Sequence, residues 1–297
     1  MVERFFQKCF REMNQNLQDC IPLWEVHRLE LKKMFSSASV FSAEKNNVLV
    51  IGAGNCYDIP LNQIIEEYNR ITLLDIDETT LGEVNDKLDP NSQVKVNLMH
   101  SDFANLPLQQ MQQVINYISK DLNQAYALME SLLINLEDLC KTKSIESYSL
   151  ILSSTVSSQL VLPFVQALEQ TKNSKLIDYA KQFGDRIAEL HIKKIWYMVD
   201  KNDGAAIITS EQYAWGFYSN GCILPLNRFI SDPILMLNYE YQKEFESVGG
   251  GLLINGRISN ELIRKHIPSR NIILERQWIW QFSNNIHYLI KGWLIVK

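Results

Sequence analysis

Three groups of residues able to hold a nucleoside follow three hydrophobic segments in the first third of the chain. A Gly-x-Gly at 52–54 follows the apolar run Val48–Ile51, and glycines there let the backbone approach a ligand closely, ahead of a helix N-terminus. Asp75 lies 21 residues after the second glycine, a distance that suits a carboxylate accepting hydrogen bonds from a ribose diol. Asp102 could accept from the exocyclic amine of adenine, and Phe103 could cover its ring. Because the carboxyl ends of parallel strands meet at one edge of a sheet, these groups predict a nucleoside crevice.

Each of these signals is common by itself. Glycine after a strand usually makes a turn, and an aspartate there usually caps a helix. Their joint spacing, in a chain that alternates strands with helices, favours nucleoside binding over those structural roles.

The residues three and four positions after Gly54 distinguish between two classes of nucleoside ligand. A dinucleotide site has the pattern G-x-G-x-x-G, in which the third glycine leaves room for a pyrophosphate. Here Tyr57 occupies the third position and Asp58 follows it. A tyrosine and a carboxylate crowd and repel a pyrophosphate, whereas a carboxylate suits the ammonium of S-adenosylmethionine. A nicotinamide dinucleotide is therefore the weaker alternative.

The hydrophobic pattern around these residues predicts a parallel α/β sheet. Strands are predicted at 48–51, 71–74, 94–99, 148–152 and 205–208, with a C-terminal hairpin at 272–282 and 286–296. Helices are predicted over 3–35 with a break at Pro22, within 107–141, and over 157–170 and 174–199. Alternation with short connections among the first three strands is typical of a doubly wound sheet.

Three sequence segments resemble one enzyme family. The segments VLVIGAGNCYDIPL at 48–61 and ITLLDIDETTL at 71–81 resemble the first two motifs of class I S-adenosylmethionine-dependent methyltransferases. A bacterial subgroup has the variant GAGN-x-x-D with an S-x-x-x-SQL segment after strand four, and STVSSQL at 154–160 is similar to it. The resemblance covers about residues 46–210, and the terminal hairpin fits the family's last two strands. It implies a Rossmann-like methyltransferase fold: a seven-stranded, mostly parallel sheet in the order 3-2-1-4-5-7-6, with strand seven antiparallel and helices on both faces.

The resemblance also implies a division of the chain. Residues 1–43 are expected to form an N-terminal helical cap, and residues 44–297 the S-adenosylmethionine-binding methyltransferase domain. Insertions at about 104–145 and 210–247 are expected to form a lid over the methyl acceptor.

The same resemblance implies the cofactor-binding residues. Gly52, Gly54 and Asp58 would line the methionine end of S-adenosylmethionine, Asp75 the ribose, and Asp102 with Phe103 the adenine. Ser153, Ser154 and Thr155 would lie beside the sulfonium and the acceptor. The complete predicted set is Gly52, Ala53, Gly54, Asn55, Tyr57, Asp58, Asp75, Ile76, Asp77, Asp102, Phe103, Ser153, Ser154 and Thr155. Many family members have an acidic or amide residue after strand four, and the serines here leave the acceptor chemistry open.

Few side chains stand out as candidates for catalysis. Methyl transfer from a sulfonium is an in-line displacement, so a base is needed only if the acceptor must lose a proton. Gln159 is the preferred polar residue for the pocket floor. Tyr213, with Trp215, follows the fifth strand, where an acceptor-pocket role and plain packing are about equally expected. His191 is expected at a surface or helix end rather than as a base. His27 could face the acceptor, although packing is the better expectation.

Composition and charge limit which classes of partner and which cellular compartment are expected. The formal net charge of −5 and the absence of a basic stretch disfavour nucleic acid, as does the lack of an N/D-P-P-Y/F segment after the fourth strand. No segment is long and apolar enough to cross a bilayer, and the first residues carry charge too early for a secretory signal core. Five cysteines without zinc-ligand spacing predict reduced thiols, no metal site and a cytoplasmic protein.

The favoured function is methyl transfer to a small-molecule or peptide acceptor, with S-adenosylhomocysteine as the product. Three alternatives stay open: aminopropyl transfer, a nicotinamide-dependent enzyme and a non-catalytic nucleoside-binding scaffold. Aminopropyl transfer wants carboxylates after strand four to bind a polyamine, and Ser153-Ser154-Thr155 supplies none.

Overall fold

The described strands form one seven-stranded sheet. The computed structural model describes residues 2–15, 17–42, 44–140, 146–216, 232–247, 256 and 258–297. The strands are Asn47–Ile51 (β1), Arg70–Asp75 (β2), Val96–His100 (β3), Leu150–Ser154 (β4), Ala205–Gly216 (β5), Ile272–Gln281 (β6) and Ile286–Val296 (β7). Their order is β3-β2-β1-β4-β5-β7-β6; β7 is antiparallel to β5 and β6, and the other pairs are parallel. This confirms the predicted Rossmann-like methyltransferase topology and the predicted hairpin.

The continuous apolar run of β1 follows from its central place in the sheet. Val48 and Val50 pack into the hydrophobic cluster on one face, and Leu49 and Ile51 into the cluster on the other. All four side chains are buried. A strand covered on both faces has no solvent side and so shows no alternation of apolar with polar residues.

Helices cover both faces of the sheet. They are Val2–Gln15 (α1), Glu25–Phe41 (α2), Leu61–Glu67 (α3), Glu78–Asp86 (α4), Pro90–Lys95 (α5), Leu108–Ile118 (α6), Leu122–Leu139 (α7), Leu162–Glu169 (α8), Ser174–Met198 (α9), Tyr239–Ser247 (α10) and Ile258–His266 (α11). As predicted, Pro22 separates two helices; it lies in a 3-10 turn between α1 and α2. The helix α2 packs on β5, β6 and β7 and buries Leu31, Met34 and Phe35 completely. Each such burial contributes about 1.5–3 kcal/mol.

The third strand starts later than the sequence pattern predicts. The prediction was 94–99, whereas β3 begins at Val96 because Pro90–Lys95 form the short helix α5. The Asp89 carboxylate accepts from the backbone N–H groups of Asn91 and Ser92, and proline occupies the first turn. Asp-Pro is a helix-start signal that outweighs the local β-propensity.

The fifth strand is longer than the predicted 205–208. It continues to Gly216 because it pairs with β7 along its whole length, with a β-bulge between Glu211 and Tyr213. The polar residues 209–212, whose sequence does not resemble a buried strand, are buried in the structure. The segment predicted as an insertion at 210–247 therefore begins as strand; its residues 217–231 lie outside the described part of the chain.

The helical segment predicted at 107–141 forms α6 and α7. These helices pack on each other, and with α8 and α9 they enclose a separate apolar cluster that includes Met111, Val114, Met129, Leu132 and Phe183. None of the described helices is long and apolar enough to span a bilayer.

Candidate functional site

The loop after β1 has a backbone shape that depends on glycine. Gly52 and Gly54 have positive φ angles of 63° and 48°. A Cβ at Gly52 would lie only 2.7 Å from Cγ2 of Val156, in the segment that follows β4. The N–H of Ala53 donates to the carbonyl of Leu74 at 3.1 Å. These contacts hold the loop against the ends of β2 and β4, where a side chain at Gly52 would not fit.

Asp75 is anchored at the end of β2 by this loop. One carboxylate oxygen accepts from the backbone N–H of Gly54 at 2.8 Å, and the other accepts from that of Asp77 at 2.8 Å. The side chain is buried, and burial raises its pKa although the backbone hydrogen bonds lower it. A carboxylate has about four acceptor sites, so it can still accept from a ligand hydroxyl.

A narrow crevice of about 90 Å³ opens beside Asp75 at the carboxyl edge of the sheet. The predicted site residues that line it are Gly52, Gly54, Asp75, Ile76, Asp102, Phe103 and Gln159. Phe10 and Asn14 of α1 cover it, and Val156 and Leu160 complete one wall. The structure therefore brings the residues after β1, β2 and β3 together as expected, with Gln159 among them.

Asp102 and Phe103 form the far wall of the crevice. The Asp102 carboxylate accepts from the backbone N–H groups of Ala104 at 2.9 Å and Leu106 at 2.5 Å, which fixes the turn after β3. The Phe103 ring is buried and meets the His191 ring edge to face, with the ring centroids 5.1 Å apart. The position of both residues is thus set by the chain's own packing.

Other predicted cofactor residues lie outside the crevice. Asn55 and Tyr57 line an open groove of about 550 Å³ between the post-β1 loop, α2 and α4, and the Tyr57 hydroxyl accepts from Lys87 at 3.1 Å. Ala53 is buried in the core. Asp77 caps α4, accepting from the Thr80 hydroxyl at 2.5 Å.

Asp58 belongs to a chain of polar groups under α2. Its carboxylate accepts from the Ser154 hydroxyl at 3.2 Å, and Nε2 of His27 lies 3.6 Å from it. The indole N–H of Trp278 donates to Nδ1 of His27 at 2.9 Å, and the His27 ring stacks on Trp280 at 4.1 Å. Since Nδ1 accepts, the neutral imidazole carries its proton on Nε2, facing Asp58. The His27–Trp278 pair could not be predicted from the sequence, because 251 residues separate the two side chains.

Ser153 and His191 form a buried pair on the opposite face of the sheet. The Ser153 hydroxyl and Nε2 of His191 are 2.9 Å apart. Burial, with a smaller effect from Lys194, lowers the pKa of His191 to about 3, so the ring is neutral near pH 7. His191 is 1% exposed, and the structure thus places it in the core rather than at a surface or helix end.

The backbone after β4 is strained next to the crevice. Thr155 has a φ of 53°, a conformation that a β-branched residue rarely adopts. Its N–H donates to the carbonyl of Thr209 at 3.1 Å and lies 3.0 Å from the Thr209 hydroxyl. After this turn in the backbone, Val156 and Gln159 line the crevice.

Tyr213 lies apart from the crevice. Its hydroxyl donates to the Glu246 carboxylate of α10, and its ring meets Phe245 at 6.1 Å between centroids. A neighbouring residue of β5, Glu211, was not singled out from the sequence: it is a buried carboxylate that accepts from the Ser158 hydroxyl at 2.8 Å.

Comparison with known proteins gives structural similarity only. No protein-family model and no curated protein matches the chain. Among solved structures, it is similar to an S-adenosylmethionine-dependent methyltransferase from Leishmania major, with 12% identity over 91% of this chain and 72% of that chain and a TM-score of 0.45. It is similar to the glycopeptide N-methyltransferase MtfA complexed with S-adenosylmethionine, with 9% identity over 88% of this chain and 92% of that chain and a TM-score of 0.38. It is also similar to a spermidine synthase in complex with a transition-state analogue, with 10% identity over 91% of this chain and 59% of that chain and a TM-score of 0.41. Similarity at this level does not assign a reaction.

Proposed function

We propose that the chain binds S-adenosylmethionine and transfers its methyl group to a small-molecule or peptide acceptor. The observation that carries the proposal is the crevice at the carboxyl ends of β1, β2 and β3. There Gly52 and Gly54 bring the backbone close, and Asp75 and Asp102 present two carboxylates at the crevice wall. In an open α/β sheet, this edge is where a nucleoside binds.

The residues present fit the parts of that cofactor. Asp75 would accept the ribose hydroxyls, and its two backbone hydrogen bonds hold the carboxylate in place beforehand. Asp102 and Phe103 would contact the adenine. Asp58, beside Ser154 and with its side chain 19% exposed, offers the negative charge for the methionine ammonium.

The geometry argues against a dinucleotide in the same crevice. A pyrophosphate is held by the N-terminal amides of a helix that starts directly after the glycines. Here α3 begins only at Leu61, after an irregular loop that includes Cys56 at a φ of 54°. The Asp58 carboxylate within that loop would also repel a pyrophosphate.

Methyl transfer from a sulfonium requires few chemical steps from the protein itself. When bound, the sulfonium supplies an activated methyl group and a neutral leaving group. The chain's residues orient the reactants and exclude water, which can contribute about 7–11 kcal/mol. Leu160 and Val156 give the crevice an apolar wall, and Phe10 of α1 closes it from outside.

Calorimetric titration with S-adenosylmethionine and S-adenosylhomocysteine tests the proposal. We expect both to bind, and Asp75→Ala to weaken each by at least about 100-fold, since a carboxylate hydrogen bond to a ligand is worth about 1.5–3 kcal/mol and the loop loses its anchor. Asp178→Ala, at an exposed position of α9, is the matched control and should bind like the wild type.

Two results would contradict the proposal. One is the absence of binding by the wild-type chain, which returns the fold to an unassigned nucleotide-binding scaffold. The other is a preference for decarboxylated S-adenosylmethionine or a reduced nicotinamide cofactor, which would favour aminopropyl transfer or hydride transfer.

A further inference from the structure

Glu211 is a buried carboxylate for which the proposed cofactor site has no use. It is 4% exposed, and no cation lies within ion-pair distance of it among the residues that the structure describes. Its hydrogen-bond donor from another side chain is the Ser158 hydroxyl at 2.8 Å. An ionised carboxylate without a cationic partner is costly in the interior, so burial here favours its protonated form.

The position of Glu211 ties it to the crevice. Ser158 belongs to the short segment after β4 in which Val156 and Gln159 line the crevice wall. On β5, Glu211 lies two residues after Thr209 and so points to the same face of the strand. The Thr209 hydroxyl lies 3.4 Å from that of Ser154, and Ser154 donates to Asp58. Glu211 therefore adjoins the polar groups between the crevice and the cofactor's expected methionine end.

The β-bulge after Glu211 marks a break in regular pairing. Glu211 pairs with Ile290 and Tyr213 with Leu289, so one residue of β5 is left unpaired between them. Bulges of this kind redirect side chains and are frequent beside active sites. Because of the bulge, the side chains of Glu211 and Tyr213 point to different faces of β5. Tyr213 contacts α10.

We propose that Glu211 faces the methyl-transfer position and takes up the proton that the acceptor loses, so that the acceptor is a hydroxyl or amine nucleophile carrying a proton. This rests on the proposed methyl transfer. The lone pair of the acceptor oxygen or nitrogen forms the bond to the methyl carbon, and the methyl–sulfur bond breaks with its electron pair going to sulfur. The acceptor proton passes to a carboxylate oxygen of Glu211.

The ionisation of Glu211 suits that role. Burial raises its pKa to about 7, although its own backbone N–H and the Ser158 hydroxyl lower it. A base with a pKa near the working pH is both available and strong enough to accept a proton.

The other ionisable groups around β5 have partners of their own. They include His27 of α2, Asp58 of the post-β1 loop, and His287 and Lys291 of β7; Glu246 of α10 accepts from the Tyr213 hydroxyl. Lys291 pairs with Glu275 at 3.1 Å, and His287 stacks on Trp215. His27 accepts from Trp278 and faces Asp58. In the described part of the chain, none of these groups forms an ion pair with the Glu211 carboxylate.

The test needs no knowledge of the acceptor. Sinefungin is an S-adenosylmethionine analogue that carries an ammonium-bearing carbon in place of the methylsulfonium, whereas S-adenosylhomocysteine has neither charge nor methyl there. The ratio of their affinities therefore reports a negative charge at the transfer position. We measure this ratio by calorimetry from about pH 6 to about pH 8.5, across the titration of Glu211.

We expect the preference for sinefungin to rise with pH in the wild-type chain, because Glu211 becomes ionised. Glu211→Gln should lower the ratio about 10-fold at pH 8 and remove its pH dependence, while S-adenosylhomocysteine affinity stays the same. Glu169→Gln, at a half-buried carboxylate of α8 whose pKa burial also raises, should keep the wild-type ratio and pH dependence.

A wild-type ratio that is constant with pH overturns the proposal, and this result needs no variant. A ratio unchanged by Glu211→Gln in a folded protein overturns it as well. Failure of the wild-type chain to bind either ligand would instead contradict the proposed methyl transfer, so the two outcomes are distinct.

Discussion

At the residue scale, the hydrogen bond that His27 accepts from Trp278 determines which ring nitrogen of His27 faces Asp58. The Trp278 indole donates to Nδ1 of His27, so the proton on Nε2 points at the Asp58 carboxylate 3.6 Å away. The Ser154 hydroxyl donates to the same carboxylate at 3.2 Å and orients it. A fixed carboxylate loses little entropy when a ligand ammonium arrives, which favours binding.

Trp278→Phe should therefore cost more stability than the loss of ring area alone. It removes the donor to Nδ1 and leaves a buried acceptor unsatisfied, an effect of about 1–3 kcal/mol. Trp293→Phe is the matched control, since Trp293 is fully buried but its indole N–H has no hydrogen-bond partner among the residues that the structure describes. Urea unfolding at pH 7 measures both variants. Equal losses of unfolding free energy in the two variants would mean that the hydrogen bond to His27 contributes nothing.

The spacing of small and acidic residues predicted part of the lining of the crevice for a physical reason. Gly52, Asp75 and Asp102 follow consecutive strands, and the parallel sheet alone brings strand ends together. Glu211 and His27 could not be found in this way. Glu211 lies in the part of β5 whose polar sequence did not predict a strand. The orientation of His27 depends on a hydrogen bond from Trp278 on the last hairpin.

At the element scale, α1 covers the crevice. Phe10 and Asn14 line it from outside, and the Asn55 side chain donates to the Asn14 carbonyl at 3.2 Å, so the helix is joined to the post-β1 loop. The crevice is about 90 Å³, whereas sites for ligands of this class occupy about 300–1,000 Å³. A nucleoside therefore fits only if a wall of the crevice shifts, and we expect α1 to be that wall.

Phe10→Ala should speed the dissociation of S-adenosylhomocysteine by about 10-fold, because the crevice loses its outer apolar wall. Stopped-flow measurement of intrinsic fluorescence during ligand displacement gives the rate. Phe41→Ala, at a 39%-exposed position at the end of α2, is the control and should leave the rate unchanged. An unchanged rate in Phe10→Ala would show that α1 does not retain the ligand.

Long-range pairing explains why some elements were predicted and others were not. The terminal hairpin and β1 have strong local patterns and were located well. The end of β5 and the start of β3 were misplaced, because β5 is extended by pairing with a strand about 80 residues away in sequence and β3 is shortened by the Asp89 cap. The residue pattern of a short segment contains no information on its pairing with a strand that is distant in sequence.

At the scale of the whole molecule, two buried glutamates give stability opposite dependences on pH. Glu211 has its pKa raised to about 7, so stability falls as pH rises from about 4.5 towards 7. Glu189 on α9 behaves in the reverse way. Burial raises its pKa, but hydrogen bonds from Lys265, His266 and Arg186 outweigh that effect and hold the pKa at about 2. Its contribution is complete above about pH 4.5 and is lost as pH falls towards 2.

Glu189→Gln should therefore destabilise the protein at pH 7 and do so less at pH 3. Lys265 and His266 lie on α11, 2.9 and 2.7 Å from the Glu189 carboxylate, so the substitution weakens the attachment of α11 to α9. Because the surrounding cations are partly exposed, screening by water limits the loss at pH 7 to about 1–2 kcal/mol. Urea unfolding at the two pH values measures it. Glu130→Gln, in an exposed ion pair with Lys175, is the control and should change little at either pH. A loss in Glu189→Gln that is as large at pH 3 as at pH 7 would show that packing, rather than the ionised carboxylate, holds the two helices together.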